Sequence, residues 1–195
     1  TARPEVVDSN WYIAFDITYW HTKMGGTEYA YSVDRFNSTN SLPVNGDMKH
    51  QDFSWEVGVK AGLGYKTPHD NWDIFARYTW FNTDTSSSSF KHAPSALISL
   101  TWWQSFELVA SHVKSHLELN YDSVELELAR SYFISRQISF RPHFGLKSAW
   151  MTFHRNVTST ASGLSSAHGA HAGLDYKSKD HENFWGMGPR TGVDS

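Results

Sequence analysis

Phe53-Ser-Trp-Glu-Val-Gly-Val-Lys-Ala-Gly-Leu-Gly-Tyr-Lys66 alternates apolar and polar residues without a break. In a strand, Phe53, Trp55, Val57, Val59, Ala61, Leu63 and Tyr65 share one face, while Ser54, Glu56, Gly58, Lys60, Gly62, Gly64 and Lys66 share the other. Bulky aromatics stand near both ends of the apolar face, with smaller aliphatics between them. That order is expected where a strand passes from one headgroup layer through hydrocarbon to the other. Trp55 to Tyr65 covers roughly 34 Å at about 3.4 Å per residue, and a tilt of about 40° turns this into roughly 26 Å along the membrane normal. The apolar band of an outer-membrane barrel is about 25 Å tall, so the stretch has the length to cross a bilayer.

Composition sets limits without deciding the case. The chain has 195 residues, 39% of them apolar, enough for one domain with a core. Nine Trp, nine Tyr and twelve Phe make 15% of it, yet mean hydropathy is −0.50, because inward and outward residues of a membrane strand cancel on averaging. The most apolar segment, Ala96 to Trp103, is interrupted by Ser99 and Thr101 and falls far below the ~18 apolar residues of a transmembrane helix. A net charge of −3 without a basic cluster argues against nucleic acid as a partner. Zero cysteines rule out a disulfide framework. Thr1 to Asn10 lacks the charged start and apolar core of a signal peptide, as expected of a processed start.

The alternation recurs along the chain. Trp11, Ile13, Phe15, Ile17 and Tyr19 mark a first strand that stops at Gly25-Gly26, and Glu28 to Phe36 alternates again before a polar run, Asn37 to Gln51, that reads as loop. Thr67 to Asn71 has turn chemistry, and Trp72, Ile74, Ala76, Tyr78 and Trp80 return as the second arm of a hairpin. Asn82 to Ala93 reads as a surface loop. In the span Phe106 to Tyr132, Leu117, Leu119 and Tyr121 oppose the parity of Val124, Leu126 and Leu128, so one extra residue is absorbed near Asp122-Ser123 by a β-bulge or a tight turn, and the strand count favours the bulge. After a turn at Ile134 to Gln137, residues Ile138, Phe140, Pro142, Phe144, Leu146, Ser148 and Trp150 share a face, with Pro142 awkward for an interior strand. Asn156 to Asn183 reads as a long loop, and a last strand begins at Phe184. Short turns alternate with long connections, the asymmetry of periplasmic and outer ends of an outer-membrane barrel.

Trp55-Glu-Val-Gly-Val-Lys-Ala-Gly-Leu-Gly-Tyr65, Pro68-His-Asp-Asn-Trp-Asp73, Arg141-Pro-His-Phe-Gly-Leu-Lys147 with Trp150, and Phe184-Trp-Gly-Met-Gly-Pro-Arg190 resemble the Legionella-type major outer membrane protein family, porin-like proteins related in role to chlamydial major outer membrane proteins. The opening Asn10-Trp-Tyr-Ile-Ala-Phe-Asp-Ile-Thr-Tyr-Trp20 is similar to that family's first strand. The resemblance covers most of Trp11 to Arg190, and implies a β-barrel that lets small solutes cross the outer membrane. Members are usually longer, and some use cysteines for envelope cross-linking, which this chain lacks.

The expected fold is therefore an all-β, antiparallel, up-and-down transmembrane β-barrel. Residues 1–195 form a single barrel domain or the N-terminal part of one. Six long strands and one short element are an incomplete set, since single-chain bacterial barrels close with an even number from eight upwards. The expected location is the bacterial cell outer membrane, with outer-membrane lipid and small hydrophilic solutes as partners and self-association into a homo-oligomer left open.

Lys60, Arg77, Lys114, Glu118, Glu125, Arg141 and Lys147 lie opposite apolar faces, and with Glu56, Asp73 and Glu127 are expected to line a wet lumen; on a soluble sheet they would simply face water. Trp55, Tyr65, Trp72, Trp80 and Trp150 are expected at the membrane interfaces, core packing being the alternative. His168 and His171 with Asp175 and His181 match no known metal-ligand spacing, so no metal or other cofactor is expected. Ser111-His112 and Ser115-His116 have no identifiable orienting carboxylate, so the chain is not expected to be an enzyme. The expected function is passive, porin-like diffusion of small hydrophilic solutes with weak ion selectivity. Two alternatives share the pattern: a structural or adhesive barrel with a plugged lumen, and a soluble antiparallel barrel binding an apolar ligand.

Overall fold

The computed structural model describes residues 10–34, 46–68, 72–100, 109–133, 139–162 and 172–194. Six long strands, β1 (Asn10–His21), β4 (Trp55–Lys66), β5 (Trp72–Phe90), β7 (Val109–Arg130), β9 (Ser139–Ala161) and β10 (Asp175–Asp194), pair antiparallel in that order. They form one sheet curled as a half-barrel, without helices among the described residues. Among the described residues there are also four short strands, β2 (Ala30–Val33), β3 (Gly46–Lys49), β6 (Ala96–Ser99) and β8 (Tyr132–Phe133). The β4–β5 hairpin closes where Thr67 donates its amide and its hydroxyl to the Trp72 carbonyl, at 2.8 and 3.1 Å. The turn expected at Ile134 to Gln137 lies outside the described residues, between Phe133 and its ladder partner Ser139.

The convex face is apolar over one continuous band. Trp11, Ile13, Phe15, Ile17 and Tyr19 of β1 are all more than 60% exposed, a cost in water that only hydrocarbon removes. Ile74, Tyr78, Leu126, Phe144, Leu146 and Met187 continue the band on the neighbouring strands. Aromatics bound it on both sides. Trp80, Asp122, Trp150 and Trp185 form one register row, and Tyr19 and Trp55 stack at 5.3 Å at the same end. Trp11 and Tyr65 meet at 4.9 Å at the other end, near Trp72. The five interface aromatics read from the sequence all sit on this face, with Trp55 55% exposed.

Several sequence expectations need correction. β5 continues to Phe90 and β7 pairs with it in unbroken register from Arg130 to His112, so Asn82 to Phe90 is strand rather than loop. No bulge interrupts Asp122-Ser123, and the register shift in β7 falls at Ala110/His112. Leu117 and Leu119 are instead buried on the concave face, while Leu126 and Leu128 are exposed on the convex one. β9 runs to Ala161 and β10 starts at Asp175, which shortens the long loop expected from Asn156. Pro142 lies just beyond the last β7–β9 pair, Ala129↔His143, a position that tolerates a missing amide.

The reason for the inward leucines is a cap over the concave wall at the long-loop end. β6 adds to β7 through Leu97↔Ala110 and Ile98↔Val109, and β2 joins β6 to β3. Tyr29, Ala30 and Leu97 pack on Ala110, Val113 and Val157. Phe53, expected on the outer face, turns inward onto Leu117, Leu119 and Phe153. Gln51 Nε2 donates to the Ser115 carbonyl at 2.9 Å, Ser159 Oγ to Ser99 Oγ at 2.9 Å, and the Arg155 guanidinium to the carbonyls of Gly26 and Glu28.

Candidate functional site: a paired-charge belt on the concave wall

The concave face carries charges at the depth of the convex apolar band. Arg77, Glu125 and Lys147 are consecutive in one register row across β5, β7 and β9. Lys147 Nζ lies 2.8 Å from one Glu125 oxygen, and Arg77 lies 3.5 Å from the other. Arg190, from β10, reaches the same carboxylate and stands 3.9 Å from Glu127. Arg141 spans Glu127 at 3.0 Å and Asp73 at 2.8 Å, and the Tyr12 hydroxyl donates to Asp73 at 2.7 Å. The three carboxylate side chains are about 10% exposed, and the cations up to 41%. A charge so deep in a membrane wall must face water or a partner, and here each carboxylate has at least one cation.

Glycine on the same parity makes room. A Cβ on Gly145 would strike the Leu126 carbonyl, and one on Gly192 would enter the His143 ring. Along β4, Gly62 and Gly64 let the rings of Phe75 and Tyr12 lie against the wall; those rings are parallel within 4°, 5.7 Å apart.

Of the residues expected to line the lumen, Asp73, Arg77, Glu125, Glu127, Arg141 and Lys147 meet in this belt. Lys60 is on the same face, 4.9 Å over the Trp20 ring, and Glu56 pairs with Trp20 in register further toward the cap. Lys114 and Glu118 are placed elsewhere: they share the convex parity of Val124 and Leu126, on the long-loop side of the Trp80–Trp150 row. Arg190 and Tyr12 belong to the belt but were not singled out by sequence. Arg190 alternates with Trp185, Met187 and Pro189, and that parity was the available signal.

Among the described residues, the other chemical candidates do not assemble. Ser115 is fully buried on the concave side, whereas His116 faces out and bonds Ser86 at 2.8 Å, because neighbours in a strand point oppositely. His168 and His171 lie outside the described residues. Asp175 accepts from Thr160 at 2.6 Å, and His181 pairs with His154 at 2.9 Å. Among the described residues, no group of three or more potential ligands is placed to hold a metal.

No curated protein and no solved structure matches the chain. The model of one family, described as Legionella pneumophila major outer membrane protein precursor, matches residues 4–195. With its half-barrel wall, aromatic-edged apolar band and nearly full-length match, the chain belongs to the Legionella major outer membrane protein family, and its place is the outer membrane.

Proposed function

We propose that the protein acts as a porin-like wall for passive diffusion of small hydrophilic solutes, with a role in transport rather than catalysis. The observation that carries this reading is the belt of opposite charges on the concave face, level with the apolar band outside. A structural barrel could fill that depth with apolar side chains, and burying ions in its place costs desolvation that only paired geometry offsets. A water-filled lumen removes most of that cost. Four cations, Arg77, Arg141, Lys147 and Arg190, against three carboxylates, Asp73, Glu125 and Glu127, leave a small positive excess, which suits weak selectivity. Swelling of vesicles that contain the protein, in isosmotic solutions of sugars of graded size, tests the reading. Swelling that slows with solute size supports it, and vesicles that stay unswollen in the smallest sugar overturn it.

The cap favours a second reading. Its packed contacts at Val113, Val157 and Leu117 occlude part of the concave wall, as a plugged structural barrel would require. Impermeable vesicles with folded protein would favour that reading.

A further inference from the structure

A recess of about 300 Å3 opens on the concave wall beside the ion-pair belt. That is at the small end of the roughly 300–1,000 Å3 typical of small-molecule sites. Its floor is aromatic, from Tyr12 and Phe75, and its rim is made of Lys66, Asp73, Arg77, Glu127 and Arg141. We propose that this recess is a binding subsite for a hexopyranose ring of the passing solute. The proposal rests on the diffusion reading above, since it names the class of solute that the wall would retain.

The chemistry of the two surfaces selects that class. A pyranose has one face of C–H bonds, which packs on an aromatic ring, and a periphery of hydroxyls, each both donor and acceptor. Parallel, offset-stacked rings with centroids 5.7 Å apart give an apolar floor, an arrangement that a lumen needing only wettability would not require. The floor is held in place, because the Tyr12 hydroxyl is bonded to Asp73 at 2.7 Å and the strand beneath has glycine at 62 and 64. Around it, planar guanidinium and carboxylate groups alternate. Asp73 and Glu127, joined through Arg141 at 2.8 and 3.0 Å, retain acceptor lone pairs, and the guanidinium groups carry several donors each. Asp73 and Glu127 offset two of the three cations, Lys66, Arg77 and Arg141, and it is the aromatic floor, which an open-chain anion leaves unused, that favours a pyranose over such an anion. Lys66 Nζ, on an exposed stem 5.4 Å from the Tyr12 ring, is a cation that an incoming ring can displace.

The test is saturation-transfer NMR on the protein folded in detergent micelles, with methyl α-D-glucopyranoside as probe. Transfer to the C–H protons of the ring is expected. Tyr12→Ala should weaken binding about tenfold, the equivalent of one lost aromatic contact, while Tyr12→Phe should retain most of it. Tyr78→Ala, on the convex face, should leave it unchanged. Heat-modifiable migration of each variant reports that it is folded. No transfer with folded wild-type protein, equal binding by Tyr12→Ala, or tighter binding of gluconate than of the glucoside would overturn the proposal. Binding in micelles does not depend on passage, so glucoside binding with impermeable vesicles would uphold the subsite while removing the diffusion reading.

Discussion

Glu125 and Lys147 are directly paired positions of β7 and β9, and their side chains meet at 2.8 Å on the concave face. The same carboxylate also serves Arg77 and Arg190, so one acid organises cations from three strands. Removing it should expose the dependence. Glu125→Gln keeps the volume but leaves Arg77, Lys147 and Arg190 without their shared partner. The expected cost is about 3 kcal/mol, the low end for breaking a buried pair, because the concave side admits water. Urea unfolding in lipid checks it, and an unchanged midpoint would mean that the belt is not a structural element.

Charge reversal at Lys147 tests the belt's electrical role. Lys147→Glu changes a small positive excess into a negative one, so a closed barrel in a planar bilayer should shift its reversal potential toward cation preference. Arg77→Glu should act in the same direction. A reversal potential that ignores both changes would place the ion path away from these side chains.

Ala61 and Lys60 are adjacent in β4 but belong to different media. Ala61 is exposed on the convex band, while Lys60 lies over Trp20 on the concave face. Ala61→Arg should cost about 2–4 kcal/mol in a lipid folding assay, as for a cation on the lipid face near mid-bilayer. Lys60→Ala should cost about 1 kcal/mol or less, one cation–π contact at a partly wet site. Equal costs at the two positions would remove the assignment of faces.

The sequence disclosed the fold where its two faces meet different media. Between Trp55 and Tyr65, or Trp72 and Trp80, hydrocarbon lies on one side and the lumen on the other, so hydropathy alternates and parity can be read. Ser86 to Ser89 of β5 and Thr158 to Thr160 of β9 lie past the aromatic row, where successive residues are polar on both parities and the alternation carries no signal. Leu117 and Leu119 misled for the opposite reason. The cap makes the concave side apolar there, so the hydrophobic parity switches along an unbroken strand and imitates a bulge. Six of the eight belt residues, Asp73, Arg77, Glu125, Glu127, Arg141 and Lys147, were legible from parity alone. Its closure through Tyr12, Arg141 and Arg190 depends on register between strands, which a single sequence does not contain.

Gly145 and Leu126 show how closely two strands approach under the belt. A Cβ at position 145 would meet the Leu126 carbonyl, a backbone atom that cannot rotate away. Gly145→Ala should therefore destabilise by about 1–3 kcal/mol, the usual range for overpacking, although alanine is a better strand residue than glycine in an open site. Gly188→Ala, two residues before Arg190 in β10, meets nothing within 4 Å and is the control. Unfolding midpoints that fall for both variants alike would attribute the loss to glycine in general rather than to this contact.

Arg155 links the cap to the wall, donating to the carbonyls of Gly26 and Glu28 from the concave face of β9. The segment it holds also packs through Tyr29 and Leu97, so losing the guanidinium should loosen the cap without unfolding the strands. A charge-assisted hydrogen bond contributes about 1.5–3 kcal/mol, enough to change the populated position of a surface segment but small against the long ladders beneath it. Arg155→Ala should accordingly raise single-channel conductance and admit larger sugars in vesicle swelling, with thermal unfolding of the barrel little changed. Arg155→Lys, which can donate to only part of the same carbonyl pair, should fall between the two. If Arg155→Ala passes solutes no larger than wild-type protein does, the cap lies off the permeation path and its role is confined to stability.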